Sequence, residues 1–270
     1  MIQARAVQQG VAAEIGTALP TIIMLGAAAN GLAVRVAEGM GGGLSLDLGI
    51  GPFQLLTLVV AAHLSLGSGE PGRPRCGLLV TVATLLMVLV PSSAVSWLAL
   101  ALYAAVHAAS ATGERRQGAL LFLALAAAAL WSSVLLKAFA GPVTASEAFL
   151  VGKLLQVLRP DVVQTGNVVG NPQVHSLIVM TRCTTLEILP AALVALVSVA
   201  LFLGNLDRDR VWRAGMGLAG GLFAANLVRL CVMAWSAEAY TVAHGLLGAN
   251  LFDGFQVVAV LALGSWASRA

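Results

Sequence analysis

Between Cys76 and Ala111 the chain carries no Asp, Glu, Lys or Arg. A hydrocarbon core about 30 Å thick is crossed by roughly 20 apolar residues in a helix, so this stretch is too long for one span and too apolar for a soluble surface. Pro91-Ser92-Ser93 divides it, because proline lacks the N–H that would continue the helix. Comparable runs recur, giving spans near 15–34, 46–66, 76–91, 93–111, 117–139, 184–204, 215–236 and 248–267. The fold class is all-α, a polytopic transmembrane helical bundle of about eight spans. Only 10% of the residues are charged, against about 25% in soluble domains. A bundle of this size is expected to be one integral membrane domain, residues 1–270.

The loops set the orientation, since Lys and Arg concentrate on the cytoplasmic side. With the N-terminus inside, the cytoplasmic segments hold Arg5, Arg73, Arg75, Arg115, Arg116, Arg208, Arg210, Arg213 and Arg269. The outer side and its margins hold Arg35, Lys137, Lys153, Arg159 and Arg182, and Arg229 is left within a span. This scatter is topological and forms no basic stripe, which argues against nucleic acid as a partner. The first span also fits a signal peptide, with Ala27-Ala28-Ala29 as a cleavage site; cleavage there would leave the remaining orientation unchanged.

Residues 140–183 form the one substantial hydrophilic stretch, read as an outer loop. Within it "SEAFLVGKLLQVLRP" predicts an amphipathic helix on the membrane surface, and "TGNVVGNPQVH" reads as turns. Cys76, Cys183 and Cys231 form no CxxC, so neither a disulfide framework nor a metal site is indicated. No HExxH, Walker loop or GxGxxG opening a helix after a strand is present, and no cofactor is implied.

Three polar residues converge on the outer face. Cys183 opens the sixth span, where a helix N-terminus stabilises a thiolate and Arg182 acts in the same direction. Arg229 lies within the seventh span, roughly 10 Å from its outer end at 1.5 Å per residue. A guanidinium there costs about 2.5–3.5 kcal/mol on insertion scales and marks a candidate site. Asn226 lies one turn below it, and Gly217, Gly221 and Ala225 continue a small-residue row that would let a neighbouring helix pack closely. His244 falls in the short outer loop before the eighth span. Thiol, imidazole and guanidinium supply nucleophile, base and electrostatic stabiliser, the parts needed for acyl transfer through a thioester.

Cys183 before an apolar helix, "NLVR" from Asn226 to Arg229, and His244 followed by glycine resemble the exosortase/archaeosortase family of membrane cysteine transpeptidases. The resemblance covers residues 180–256, under a third of the chain, taken as the catalytic core region. It implies that Cys183, Arg229 and His244 form a catalytic triad and that Asn226 supports the arginine. It also implies a membrane-anchored protein substrate bearing a C-terminal sorting signal of motif, transmembrane helix and basic tail. Cleavage would fall at the outer face of an inner membrane, among membrane lipids.

Other residues carry weaker readings. Glu187, one turn after Cys183, suggests a structural ion pair with Arg229, and Asp253 could orient His244. His175 is the rival base, His63 and His107 read as structural, and Cys76 and Cys231 as inert packing residues. Two non-enzymatic alternatives remain: a transporter with Arg229, Glu187 and Asp253 lining a polar path, and a non-catalytic scaffold for surface-polysaccharide or anchor assembly.

Overall fold

The structure, a computed structural model, describes residues 2–40, 51–70, 77–204 and 206–269. Cys76, Arg73, Arg75 and the first residues of the expected second span lie outside the described residues. The chain divides into two compact units, residues 1–130 and 131–270.

The first unit is helical: α1 (Ile2–Met40), α2 (Pro52–Ser65), α3 (Gly77–Val88), α4 (Ser93–Ser110) and α5 (Gly113–Leu130). The break at Pro91 is real, with α3 ending at Val88 and Ser92 extended ahead of α4. Such a break strands helix-end carbonyls. Asn30 of α1 meets one of them, its Nδ2 donating to the Val88 carbonyl at 3.0 Å and to Ser96 Oγ at 2.9 Å. Trp97, fully buried on α4, lies against Gly31, where a side chain would collide with the indole. His107 is buried on the same helix, in keeping with a structural role.

Among the described residues, six helical segments are long and apolar enough to cross a membrane: Ala18–Ala37, Ser93–Ser110, Gly113–Ala138, Thr185–Phe202, Arg208–Trp235 and Leu246–Ala267. The other two expected spans correspond to α2 and α3, which have 14 and 12 residues. At 1.5 Å per residue they would cover about 21 and 18 Å, short of the roughly 30 Å core. Leu78, Leu79, Leu85 and Leu86 of α3 nonetheless face outward, as a lipid-facing surface requires.

The second unit opens with a π-helical turn, Trp131–Leu135, then α6 (Leu136–Ala138) and α7 (Ala140–Gln156). Three short strands follow, β1 (Val163–Thr165), β2 (Val168–Asn171) and β3 (His175–Ile178), in an antiparallel sheet of order β1-β2-β3. A 3₁₀ turn, Thr181–Cys183, leads into α8 (Thr185–Phe202), α9 (Arg208–Trp235), α10 (Ala237–His244) and α11 (Leu246–Ala267).

The sheet corrects the reading of "TGNVVGNPQVH" as turns alone. Gly166-Asn167 is a two-residue hairpin loop with Thr165 opposite Val168, and Asn171 lies opposite His175 across the second turn. Glycine supplies the positive φ of 59° that the first loop needs. The predicted amphipathic helix exists as α7, but its inner face packs on protein. Ala148, Val151 and Leu155 join Val169 and Leu177 of the sheet and Leu230, Met233 and Ala234 of α9 in one core. Its other face leaves Phe149 and Leu154 exposed, and Val157 and Leu158, just past its end, are exposed too.

In α9 the buried row is Ala214, Leu218, Leu222, Asn226, Leu230 and Ala234, an i, i+4 stripe. The small-residue row predicted to receive a neighbouring helix runs beside it. Gly217 and Gly221 face open space, with nothing within 4 Å of an added Cβ.

Gly170 has φ +142°, and a Cβ there would sit 2.4 Å from the His175 carbonyl oxygen. Gly170→Ala should therefore cost about 1–3 kcal/mol, read as a lower melting temperature of the detergent-solubilised protein. Gly166→Ala, with open space around it, should cost only about 1 kcal/mol. Equal melting temperatures for the two variants would rule out the β2–β3 pairing.

Candidate active site

The chain reaches α8 through a tight turn in which the Cys183 N–H donates to the Met180 carbonyl at 2.8 Å and the Thr184 N–H to that of Thr181 at 3.0 Å. Thr184 is extended and occupies the N-cap, so Cys183 stands before the cap and not in the first helical turn. The helix end expected beside the thiol lies one residue beyond it. The first N–H of α8, that of Thr185, donates to Glu147 Oε1 at 2.8 Å.

Glu147 is the site residue that sequence reading missed. It comes from α7, is only 4% exposed, and lies on the same helical face as Val151 and Leu155. That placement was the available signal: an acid on the apolar stripe of an amphipathic helix needs a partner inside. Burial pushes its carboxyl above the usual range, while hydrogen bonds from Thr185 and Asn226 oppose the shift.

Asn226, 2% exposed, completes the connection. Its Nδ2 donates to Glu147 Oε2 at 3.2 Å and to the Cys183 carbonyl at 2.8 Å. Both partners are acceptors, which assigns the amide orientation. The family resemblance gave Asn226 to the arginine; here its amide is committed to the backbone of the cysteine and to Glu147.

Farther along, α8 contains Pro190, which has no N–H to offer the Leu186 carbonyl. Trp131 Nε1 takes that place, donating to Leu186 O at 2.8 Å.

Arg229 follows Asn226 by almost one turn of α9. Its guanidinium carbon lies 4.7 Å from the centre of the Phe252 ring on α11, a cation–π contact. Its Nε is buried and has no hydrogen-bond partner among the described residues. A small cleft lies beside it, lined by Thr185, Ile188, Leu222, Asn226, Phe252 and Gln256. The Thr185 hydroxyl there is buried and acts on the Glu147 carboxyl.

His244 is the last residue of α10 and is exposed. Its ring stacks on Tyr240 at 4.9 Å, and Tyr240 lies 5.9 Å from His175. His175 Nε2 is 2.9 Å from the Met233 carbonyl; since a carbonyl only accepts, that nitrogen carries the proton. Tyr240, Ala243, Cys183 and Cys231 all pack against the core shared by α7, α9 and the sheet. Cys183 and the helix bearing His244 therefore border one cluster, while no hydrogen bond joins the thiol, Arg229 and His244 to one another among the described residues. Catalytic contacts are commonly long before substrate binds.

Arg182 is exposed, Glu187 is half-buried in the first turn of α8, and Asp253 is exposed on α11, its Oδ1 accepting from Gln256 at 3.5 Å. Outside the centre, Arg159 donates to the Trp235 carbonyl at 2.8 Å and pairs with Asp161 at 2.9 Å, tying the sheet entry to the end of α9. Arg159, with Asn171, holds the Asp161 carboxyl below its usual range. Among the described residues no group of three or more His, Cys, Asp or Glu could hold a metal ion.

Asn226→Ala would leave one oxygen of Glu147 and the Cys183 carbonyl short of a donor. The expected loss is about 2 kcal/mol, seen as a lower melting temperature in detergent or nanodiscs. Asn226→Asp should cost more, because it sets a second carboxylate against Glu147.

No family model matches the chain, and neither does any curated protein or solved structure.

Proposed function

We propose that this membrane-embedded protein is an exosortase-like cysteine transpeptidase or peptidase. The observation that carries this reading is the grouping around α8: Cys183 at its entry, held by Asn226, and Arg229 less than one turn from Asn226 with an unpartnered guanidinium nitrogen. Tyr240 brings the helix of His244 to the same cluster that Cys183 borders.

The chemistry follows from those roles. Cys183 Sγ attacks the scissile carbonyl carbon of the substrate and its proton passes to His244. Negative charge gathers on the former carbonyl oxygen, where the Arg229 guanidinium stabilises it in a low-dielectric setting. Collapse breaks the C–N bond, the leaving amine takes the proton from His244, and a thioester remains on Cys183. Water or an amine acceptor then attacks the thioester and restores the thiol.

The substrate class comes from the family resemblance: a secreted, membrane-anchored protein with a C-terminal motif, transmembrane helix and basic tail. The positive-inside pattern supports a site on the outer face of the plasma or inner membrane.

The test is gel-shift or intact-mass analysis of a co-expressed candidate substrate at equal membrane abundance of enzyme. Cys183→Ala and His244→Ala should each reduce processing by at least about a hundredfold. Arg229→Lys keeps the charge but not the planar fork, and should cost roughly ten- to a hundredfold. Processing that survives Cys183→Ala eliminates the thioester and leaves the scaffold reading.

A further inference from the structure

We infer that Glu147 is a positioning residue for Cys183, holding the cysteine backbone in place from a separate helix. This rests on the cysteine-nucleophile reading above but is tested independently of it.

The argument is geometric. Glu147 Oε1 accepts the Thr185 N–H, and Oε2 accepts one hydrogen of the Asn226 amide, whose other hydrogen binds the Cys183 carbonyl. The two main-chain groups that bracket Thr184 are thus held by one buried network reaching from α7 and α9. On its other side the cysteine turn is held by the Met180 and Thr181 carbonyls, the latter also accepting the Thr184 hydroxyl at 2.7 Å, and by the pairing of Val179 with Asn167 just before it. Loss of the Glu147 network would leave the turn free to open and the nucleophile free to drift. Misplacement of a reacting atom by about 1 Å can cost as much as a hundredfold in rate.

The acid is required for its two acceptors. A glutamine at this position has nearly the same shape, but its Nε2 would face a donor whichever way the amide turned, the Thr185 N–H or Asn226 Nδ2. Glu147→Gln therefore preserves volume and removes at least one hydrogen bond. Glu147→Asp keeps both acceptors and shortens the reach by one methylene.

The experiment uses the full-length protein in detergent with Cys76 and Cys231 changed to Ala, so that Cys183 is the sole thiol. Its rate of alkylation by a maleimide is measured alongside kcat and KM for substrate processing, in the parent, Glu147→Gln and Glu147→Asp. Glu147→Gln should raise alkylation about threefold or more, because the half-buried thiol becomes reachable as its turn opens. It should lower kcat about tenfold or more while leaving KM within about twofold. Glu147→Asp should fall between the two, and it carries the test if the glutamine variant fails to fold. If alkylation changes but the parent shows no processing, the positioning role stands and the transpeptidase reading falls. If alkylation matches the parent in the folded variants, the inference is overturned, whether or not processing declines.

Discussion

The second unit turns on a carboxylate with nowhere else to go. Glu147 lies on the packed face of α7, where burying an acid without partners would be costly. It meets that cost with the first N–H of α8 and the amide of Asn226. Those partners come from helices that cannot shift without breaking the network, so one buried acid couples α7, α8 and α9. Asn226 extends the coupling to the Cys183 carbonyl. Trp131 adds a third tie by meeting the Leu186 carbonyl that Pro190 leaves open. The entry of α8 is therefore fixed by side chains from three separate segments, as the proposed role of Cys183 would require.

Much of the architecture is legible in the sequence because lipid imposes a single rule: backbone groups must be satisfied within the segment. Apolar length therefore maps onto helices, and Pro91 onto a break between α3 and α4. The rule says nothing about segments outside the hydrocarbon, and there the strands went unread although the amphipathic helix α7 was seen. The strands have three or four residues each, too few for a period of two to stand out between turn residues. Position along a span was also an incomplete guide. Cys183 borders an apolar run, but its turn ends one residue before the N-cap.

The site residues were legible in part for the same reason. Arg229 stands out because a charge inside a span is rare, and its ring contact with Phe252 explains how it is housed. Glu147 did not stand out, because carboxylates are common in outer loops. Its importance appears only when the helical face is traced through Val151 and Leu155 into the core. Asn226 was noticed for its spacing from Arg229, yet its contacts run along a different row of α9, toward Glu147 and Cys183.

The packing of α7 and the hold on the cysteine turn make opposite demands on Glu147. Burial penalises a carboxyl there, and the hydrogen bonds from Thr185 and Asn226 favour the carboxylate in return. A leucine would pack as well but leave the Thr185 N–H and the Asn226 amide unmet. A glutamine would keep the volume and set a donor against one of them. Only a carboxyl offers an acceptor to each, so the acid is kept on the packed face for its two oxygens, and the cost of burying it is offset by fixing the entry of α8.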